Sequence, residues 1–388
     1  MNLLQDILVI DFSQFLSGPS ASLRLADMGA RVIKIEKPVT GDIGRQLYVS
    51  DVMIEGESTI FHAINRNKKG YAADLKNKKD LGKIKRMLAK ADVMIHNFRP
   101  GVMDRIGLDY ETVKAINPSI IYAELSGFGD EGPWKDLPGQ DLLLQAATGL
   151  TWLSSDCDKA PTPMGIAVVD IMAGTQLAQG ILASLYKRGV SGKGALVQVS
   201  MMESIISFQF EVLTCFYNDG HQLPVRSSVN SANAYIAAPY GIYKTSDGYI
   251  ALAMGNIVAL SELLKCETLK PYSNSGDWFA KRDEIKKILA AHLLTNSATY
   301  WLDILEKADI WCAPVLDYDR LMKTEGYRVL NMEIVVKTSN GLSIKTTRCP
   351  IRVDGKMLLS DVGAPMLGEH NEEIDEQMGL TKETALNN

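Results

Sequence analysis

Ile7-Leu8-Val9-Ile10-Asp11, then Ser20-Ala21-Ser22-Leu23-Arg24-Leu25-Ala26-Asp27-Met28-Gly29 after Gly18-Pro19, then Arg31-Val32-Ile33-Lys34-Ile35-Glu36: these runs decide the fold class. The first and last are short and largely apolar, as expected of strands buried on both faces. Between them the apolar residues recur at helical spacing until Gly29 stops the helix. The pattern then repeats. Asp80 to Ala89 reads as a helix, Asp92-Val93-Met94-Ile95-His96 as a strand, Tyr110 to Ile116 as a helix and Ile120-Ile121-Tyr122-Ala123-Glu124 as a strand. Strands alternating with helices imply an α/β fold, a parallel sheet covered on both faces.

Farther along, a long helix is expected from Asp170 to about Tyr186, a strand over Ala195–Ser200 and a helix from Met202 to Phe216 that leaves this domain. Asn218 to Ala234 is polar and turn-rich. Gly241 to Leu252 forms a hairpin pattern with Asp247-Gly248 at its turn, and helices follow to about Ala308, which suggests a smaller α+β domain. Val335 to Val353 alternates like a strand, and the last residues, around Gly368-Glu369-His370, look helical and exposed.

The 388 residues suffice for two cores. A composition of 46% hydrophobic and 22% charged residues is that of an ordinary globular protein. At a net charge of −5, no basic stretch is dense enough for a nucleic-acid or membrane surface. The locally basic Asn67-Lys68-Lys69 and Lys76-Asn77-Lys78-Lys79 suit either a solvated face or a phosphate-bearing ligand. Cys157, Cys215, Cys266, Cys312 and Cys349 include no CxxC pair, so neither a disulfide framework nor a zinc site is expected. There is no secretory leader pattern and no unbroken apolar run of roughly 18 residues. The expectation is a cytoplasmic, metal-free protein.

Neither GxGxxG nor GxxxxGK[ST] occurs, and GxSxG is absent too. Ser13 and Ser17 follow the first strand, where turn chemistry accounts for them. What remains is carboxylates. Asp170 closes Met164-Gly165-Ile166-Ala167-Val168-Val169 and opens the long helix, where free N–H groups tolerate an anion. It reads either as a helix N-cap or as a catalytic carboxylate.

Ordered markers run through the chain: Ile10-Asp11-Phe12-Ser13 with Ser17-Gly18-Pro19, Leu25 to Glu36, Ala91 to Gly101, Asn117-Pro118-Ser119-Ile120-Ile121-Tyr122, Ser126-Gly127-Phe128-Gly129 with Gly132-Pro133, and Cys312-Ala313-Pro314-Val315. Together they resemble the family III CoA-transferases, also called the CaiB/BaiF family, over nearly the whole length. The resemblance implies a Rossmann-like large domain from both chain ends (1–217 and 326–388), with a smaller domain over 218–325. It also implies a homodimer whose chains pass through each other like links. The residue matching Asp170 is the family's catalytic aspartate, which forms an acyl anhydride and then an aspartyl-CoA thioester. Coenzyme A enters as the substrate thioester and no prosthetic group is needed. Leu16, Lys37, Ala73, Lys76, Asn97, Phe98, Arg105 and Met201 match coenzyme-contacting positions.

The resemblance also covers α-methylacyl-CoA racemases, whose proton carriers include a Gly-His-Asp triplet. Here the triplet is Gly139-Gln140-Asp141, and a glutamine cannot shuttle a proton at neutral pH. Transferase is therefore the favoured reading, racemase the runner-up and a non-catalytic acyl-CoA binder the third. Asp141 matches an auxiliary acid of some transferases, or else caps the helix before Leu142-Leu143-Leu144. Formyl-CoA:oxalate enzymes carry a glycine tract where this chain has Asn230 to Tyr240. Asn230, Asn233 and Tyr235 either line an acceptor pocket or form a polar turn, and Gln14 could stand in for a supporting glutamine two residues later.

Overall fold

The computed structural model describes residues 2–47, 52–54 and 56–381. Two compact units emerge: Met1–Leu144 with Ile166–Phe208 and Leu330–Asn388, and Gln145–Gly165 with Gln209–Val329. The change of unit therefore comes at Gln209, earlier than the polar stretch at Asn218 suggests, and 145–165 joins the second unit. The expected helix from Met202 to Phe216 is in fact two helices. Gln209 (φ −92°, ψ 16°) breaks it, with no glycine or proline there to announce the break.

The first unit is built on β1 (Leu8–Asp11), β2 (Arg31–Glu36), β3 (Lys69–Ala72), β4 (Val93–His96), β5 (Ile121–Ser126) and β6 (Ala195–Ser200). Their order across the sheet is β3-β2-β1-β4-β5-β6, and every neighbouring pair is parallel. That is the doubly wound order, in which the chain reverses its direction of progress between β1 and β4. The helices that position the site are α1 (Ser17–Asp27), α2 (Thr59–Asn65), α3 (Lys78–Leu88), α4 (Val102–Ile106), α5 (Tyr110–Ile116), α6 (Asp141–Ala147), α7 (Val168–Ser191) and α8 (Met201–Phe208). On one face of the sheet, Ile10, Ile33, Met94 and Tyr122 pack with Ile84, Met87 and Val113 into a core. Each such side chain contributes roughly 1.5–3 kcal/mol on burial.

The last described helix, α9 (Asn371–Gln377), corrects an expectation. It is helical but not simply exposed, because Ile374, Met378 and Leu380 enter the same core. Asn371 also clamps the outer edge of β3. Its Oδ1 accepts from the Ala72 N–H at 2.8 Å and its Nδ2 donates to the Ala72 carbonyl at 2.9 Å, while the His370 N–H donates to the Gly70 carbonyl. An edge strand that would otherwise present bare backbone groups is thus covered by the chain's far end.

Strand burial on both faces makes the charged residues on and beside the strands informative. Asp11, Lys34 and Lys68 are all essentially inaccessible. Lys68 donates to Asp11 at 3.2 Å, to the Pro19 carbonyl and to Asn65, and Lys34 pairs with Asp42 at 2.7 Å. Lys68 therefore lies neither on a solvated face nor free for phosphate. Burial lowers its pKa to about 8, against the pull of Asp11. Lys34 also suffers from burial, but Asp42, then Asp11 and Glu36, outweigh it and hold its pKa above the ordinary value. Lys69 pairs with Glu373, whereas Lys76, Lys78 and Lys79 do stay exposed.

At 24 residues α7 is long and apolar enough to cross a membrane by length and composition, which a search for an unbroken apolar run passes over. Ala173, Gly174, Leu177, Ala178 and Ile181 are buried within its unit, as in the core helix of a globular domain.

The second unit is smaller. Three antiparallel strands, Gly241–Lys244, Tyr249–Leu252 and Cys312–Pro314, pack against helices Ile257–Leu263, Arg282–Leu293 and Ala298–Lys307. The expected hairpin is present, with Tyr249 opposite Lys244 and Asp247-Gly248 in its turn. Asp247 Oδ1 accepts from the Ala298 N–H at 2.8 Å and so ties the turn to the following helix. The segment before it is pinned and not loose. Arg282 donates to the Val225 and Ala234 carbonyls, Asp283 accepts from Ser228, and Lys286 donates to Ser227 and the Asn230 carbonyl.

Candidate active site

Each parallel strand hands its next residues to the same edge of the sheet. Lys37 directly follows β2, Ala73 follows β3, Asn97 follows β4 and Met201 follows β6. Leu16 ends the loop after β1, Lys76 lies just beyond Ala73, and Phe98 and Arg105 follow Asn97. All eight candidate coenzyme residues therefore lie in segments that follow the carboxyl ends of the strands, the ligand edge of a doubly wound sheet. Lys37, Lys76 and Arg105 are exposed there, whereas Ala73 and Met201 are buried.

Two of them have duties the sequence did not reveal. Asn97 uses its whole amide on the first loop: Oδ1 accepts from the Gln14 N–H at 2.8 Å, and Nδ2 donates to the Gln14 carbonyl at 2.7 Å. Gln14 is held by its backbone at the switch point between β1 and β4. Phe98 packs on the core and stacks on His96, and both line a cavity of about 310 Å³ with Tyr110, Tyr122 and Glu124.

Asp170 is the third residue of α7, so it is not the N-cap; Ala167 is, and its side chain makes no capping bond. The cap comes from a distance. Asp141 Oδ2 accepts from the Val169 N–H at 2.7 Å and from the Asp170 N–H at 3.2 Å. Asp141 is itself the first residue of α6. Gln140 is exposed just before it, and its carbonyl accepts from the Leu144 N–H. The approach of 139–141 to the end of β5 depends on glycines. A Cβ on Gly127 would sit 2.7 Å from the Gly139 Cα.

Half-buried, the Asp170 carboxyl is pushed up to about 6, chiefly by burial and then by the Asp141 charge. At neutral pH it is therefore mostly ionised, and its ionisation sits close to the working range of a cell. The Asp141→Asn variant keeps an oxygen for the cap but removes the charge. The Asp170 midpoint should then move to lower pH, and a carboxyl ¹³C titration of both proteins checks the direction.

Gly174, one turn farther along α7, lets α1 approach closely: an added Cβ would lie 2.1 Å from Ser20 Oγ and 2.5 Å from the Ser17 carbonyl. Ser17, assigned to turn chemistry from the sequence alone, is the first residue of α1 and lies where that helix meets α7. Its signal was the unbroken small-residue run from Ser17 to Ser22, which suits one helix pressed against another.

A family model described as CoA-transferase family III matches residues 4–371. The chain belongs to CoA-transferase family III. Among its curated relatives in the family is an acetyl-CoA:oxalate CoA-transferase of Acetobacter aceti, 33% identical over 376 residues that cover 94% of each chain. A succinate–glutarate CoA-transferase of Agrobacterium fabrum is 29% identical, over 98% of this chain and 97% of that protein. Among solved structures, a CaiB/BaiF family protein from Brucella suis superposes with a TM-score of 0.82 at 27% identity, covering 96% of this chain and 98% of the other. This family III member shares with that structure the mixed α/β fold on a central parallel sheet.

Proposed function

We propose that this family III member moves coenzyme A from an acyl-CoA donor to a small carboxylic acid through covalent intermediates on Asp170. One observation carries the reading: a half-buried carboxylate, pKa about 6, opens a core helix of the unit whose sheet edge gathers the coenzyme positions. One oxygen of Asp170 attacks the thioester carbon, the C–S bond breaks, and its electron pair leaves as CoA thiolate. The thiolate then attacks the aspartyl carbonyl of the mixed anhydride, which releases the donor acid and leaves an aspartyl-CoA thioester. An acceptor carboxylate attacks that thioester, forming a second anhydride, and the thiolate takes the acceptor's acyl carbon. Asp170 is regenerated with no net proton transfer, and dividing the exchange into these steps requires neither metal nor prosthetic group.

Lys37, Lys76 and Arg105 supply charge for the coenzyme's phosphates. Leu16, Ala73, Phe98 and Met201 supply apolar contact, and Asn97 acts through the loop it holds. Asp141 is the auxiliary acid, holding the first turn of α7. The relatives named for oxalate and glutarate favour a small dicarboxylate as acceptor. An interlocked homodimer in the cytoplasm belongs to the same reading.

Incubation with an acyl-CoA, then trapping by hydroxylamine or borohydride and peptide mass analysis, should place a label on Asp170. Deuterium exchange at the α-carbon without a label would point to a racemase, and neither outcome to a binder.

A further inference from the structure

We infer that the cavity lined by His96, Phe98, Tyr110, Tyr122 and Glu124 is a binding site for a small primary alkylammonium ion. It lies in the unit of the large sheet, at the carboxyl ends of β4 and β5, and its volume of about 310 Å³ is of small-molecule size. Its charge is wrong for the coenzyme's phosphates. Four carboxylates line it, those of Asp104, Asp109, Glu124 and Asp130, against one guanidinium, that of Arg99. Of the eight candidate coenzyme positions only Phe98 reaches it, and none of the basic ones does.

Much of the remaining lining is aromatic. The Tyr122 ring stands edge to face with His96 (centroids 5.2 Å apart, 76°) and with Tyr110 (5.6 Å, 66°). Ring faces attract ammonium groups, and Tyr110 already holds one, that of Lys114, 5.1 Å from its centre. Tyr122 and Met103, both buried, add apolar surface for a short carbon chain. His96 asks for a donor. The Tyr122 hydroxyl donates to the Leu108 carbonyl at 3.0 Å, so its oxygen accepts from His96 Nε2–H at 3.0 Å. In the neutral ring Nδ1 is then an acceptor. His96 is 6% exposed, and this nitrogen is buried with no partner among the described residues. Close by, one amide serves two carboxylates: Gln198 Nε2 donates to Glu124 Oε1 at 2.7 Å and to Asp130 Oδ2 at 3.0 Å. Burial and then the Glu124 charge hold the Asp130 pKa above its ordinary value, as expected of two carboxylates short of positive charge. A primary ammonium supplies what these groups lack, a positive charge with three N–H donors on one atom.

The test is isothermal titration of the full-length protein with n-butylammonium chloride, tetramethylammonium chloride and n-butanol. n-Butylammonium should bind with a Kd of about 1 mM or tighter. The other two should bind at least about tenfold more weakly, since n-butanol lacks the charge and tetramethylammonium the N–H donors. Asp130 is exposed, so Asp130→Asn keeps the fold, and it should weaken n-butylammonium about fivefold to tenfold. Saturating coenzyme A should leave the amine in place. Absence of n-butylammonium binding up to about 10 mM overturns the inference. So does equal affinity for n-butanol or tetramethylammonium, an unchanged affinity in Asp130→Asn, or displacement by coenzyme A. None of these readouts uses transfer or a label on Asp170, so the inference and the transferase reading fail separately.

Discussion

Asp170→Asn should cost transfer at least about a thousandfold while leaving coenzyme binding nearly unchanged. Removing a nucleophile eliminates the covalent route altogether, and losses of this order or larger accompany such changes in other enzymes. The coenzyme positions lie in the segments that follow the strands, outside α7, so the amide should not disturb them. Isothermal titration with coenzyme A and a transfer assay separate the two effects; transfer retained within tenfold would sink the mechanism. The same variant should be more stable than the parent at neutral pH. Burial and then Asp141 raise the Asp170 pKa above its ordinary value, so the folded chain holds this proton more tightly than the unfolded one. The charge therefore costs nothing below about pH 4 and reaches its full cost above about pH 6. Discounted for partial exposure, the gain should be on the order of 1–2 kcal/mol at pH 7. Denaturant melts at pH 4 and pH 7 should show it only at the higher pH.

Asp11→Asn should be the most damaging single change to the fold. The Asp11 carboxylate, fully buried, accepts from the Ser13 N–H, the hydroxyls of Ser13 and Ser22, and Lys68 Nζ. Burial opposes its charge, yet Lys68, then Lys34 and the two serines, hold its pKa below the ordinary value. Without that charge, Lys68 would be left as an uncompensated buried cation, a fault worth roughly 3–5 kcal/mol. Measured by guanidinium unfolding, the loss should shrink as the pH falls through and below the carboxylate range, where the parent protein must protonate Asp11 as well. Adding Lys68→Met to Asp11→Asn should recover part of it, because the pair is coupled. Full additivity of the two changes would contradict the network.

These effects differ in how far the sequence reveals them. β1, β2, β4, β5 and β6 were legible because residues such as Val9, Ile33 and Ile95 form apolar runs that suit burial on both faces. β3 was not, since Lys69-Gly70-Tyr71-Ala72 carries no such run and exists through pairing with β2 and the Asn371 clamp. The helix at 371–377 looked exposed because only Ile374 breaks its polar run, with Met378 one turn on. Asp170 stood out as a carboxylate closing an apolar run where a helix begins, although the run before it, 164–167, forms no strand. Asp141 could not announce its role, because the N–H groups it caps lie 28 and 29 residues farther along the chain. The charges of Asp11 and Lys34 did carry a signal: a lysine inside a strand buried on both faces has to find a carboxylate.

The Asn371 clamp also has a bearing on biosynthesis. A ribosome that has released residues up to Phe208 has delivered all six strands of the large sheet, but nothing yet to cover the outer edge of β3. Nor has it delivered Ile374, Met378 and Leu380, which complete the packing around Tyr71, Ile84 and Met87. The whole second unit must be translated before those residues emerge. The unit that bears Asp170 is thus finished only after the whole second unit has been made, and until then the growing chain presents a bare strand edge for other chains to pair with.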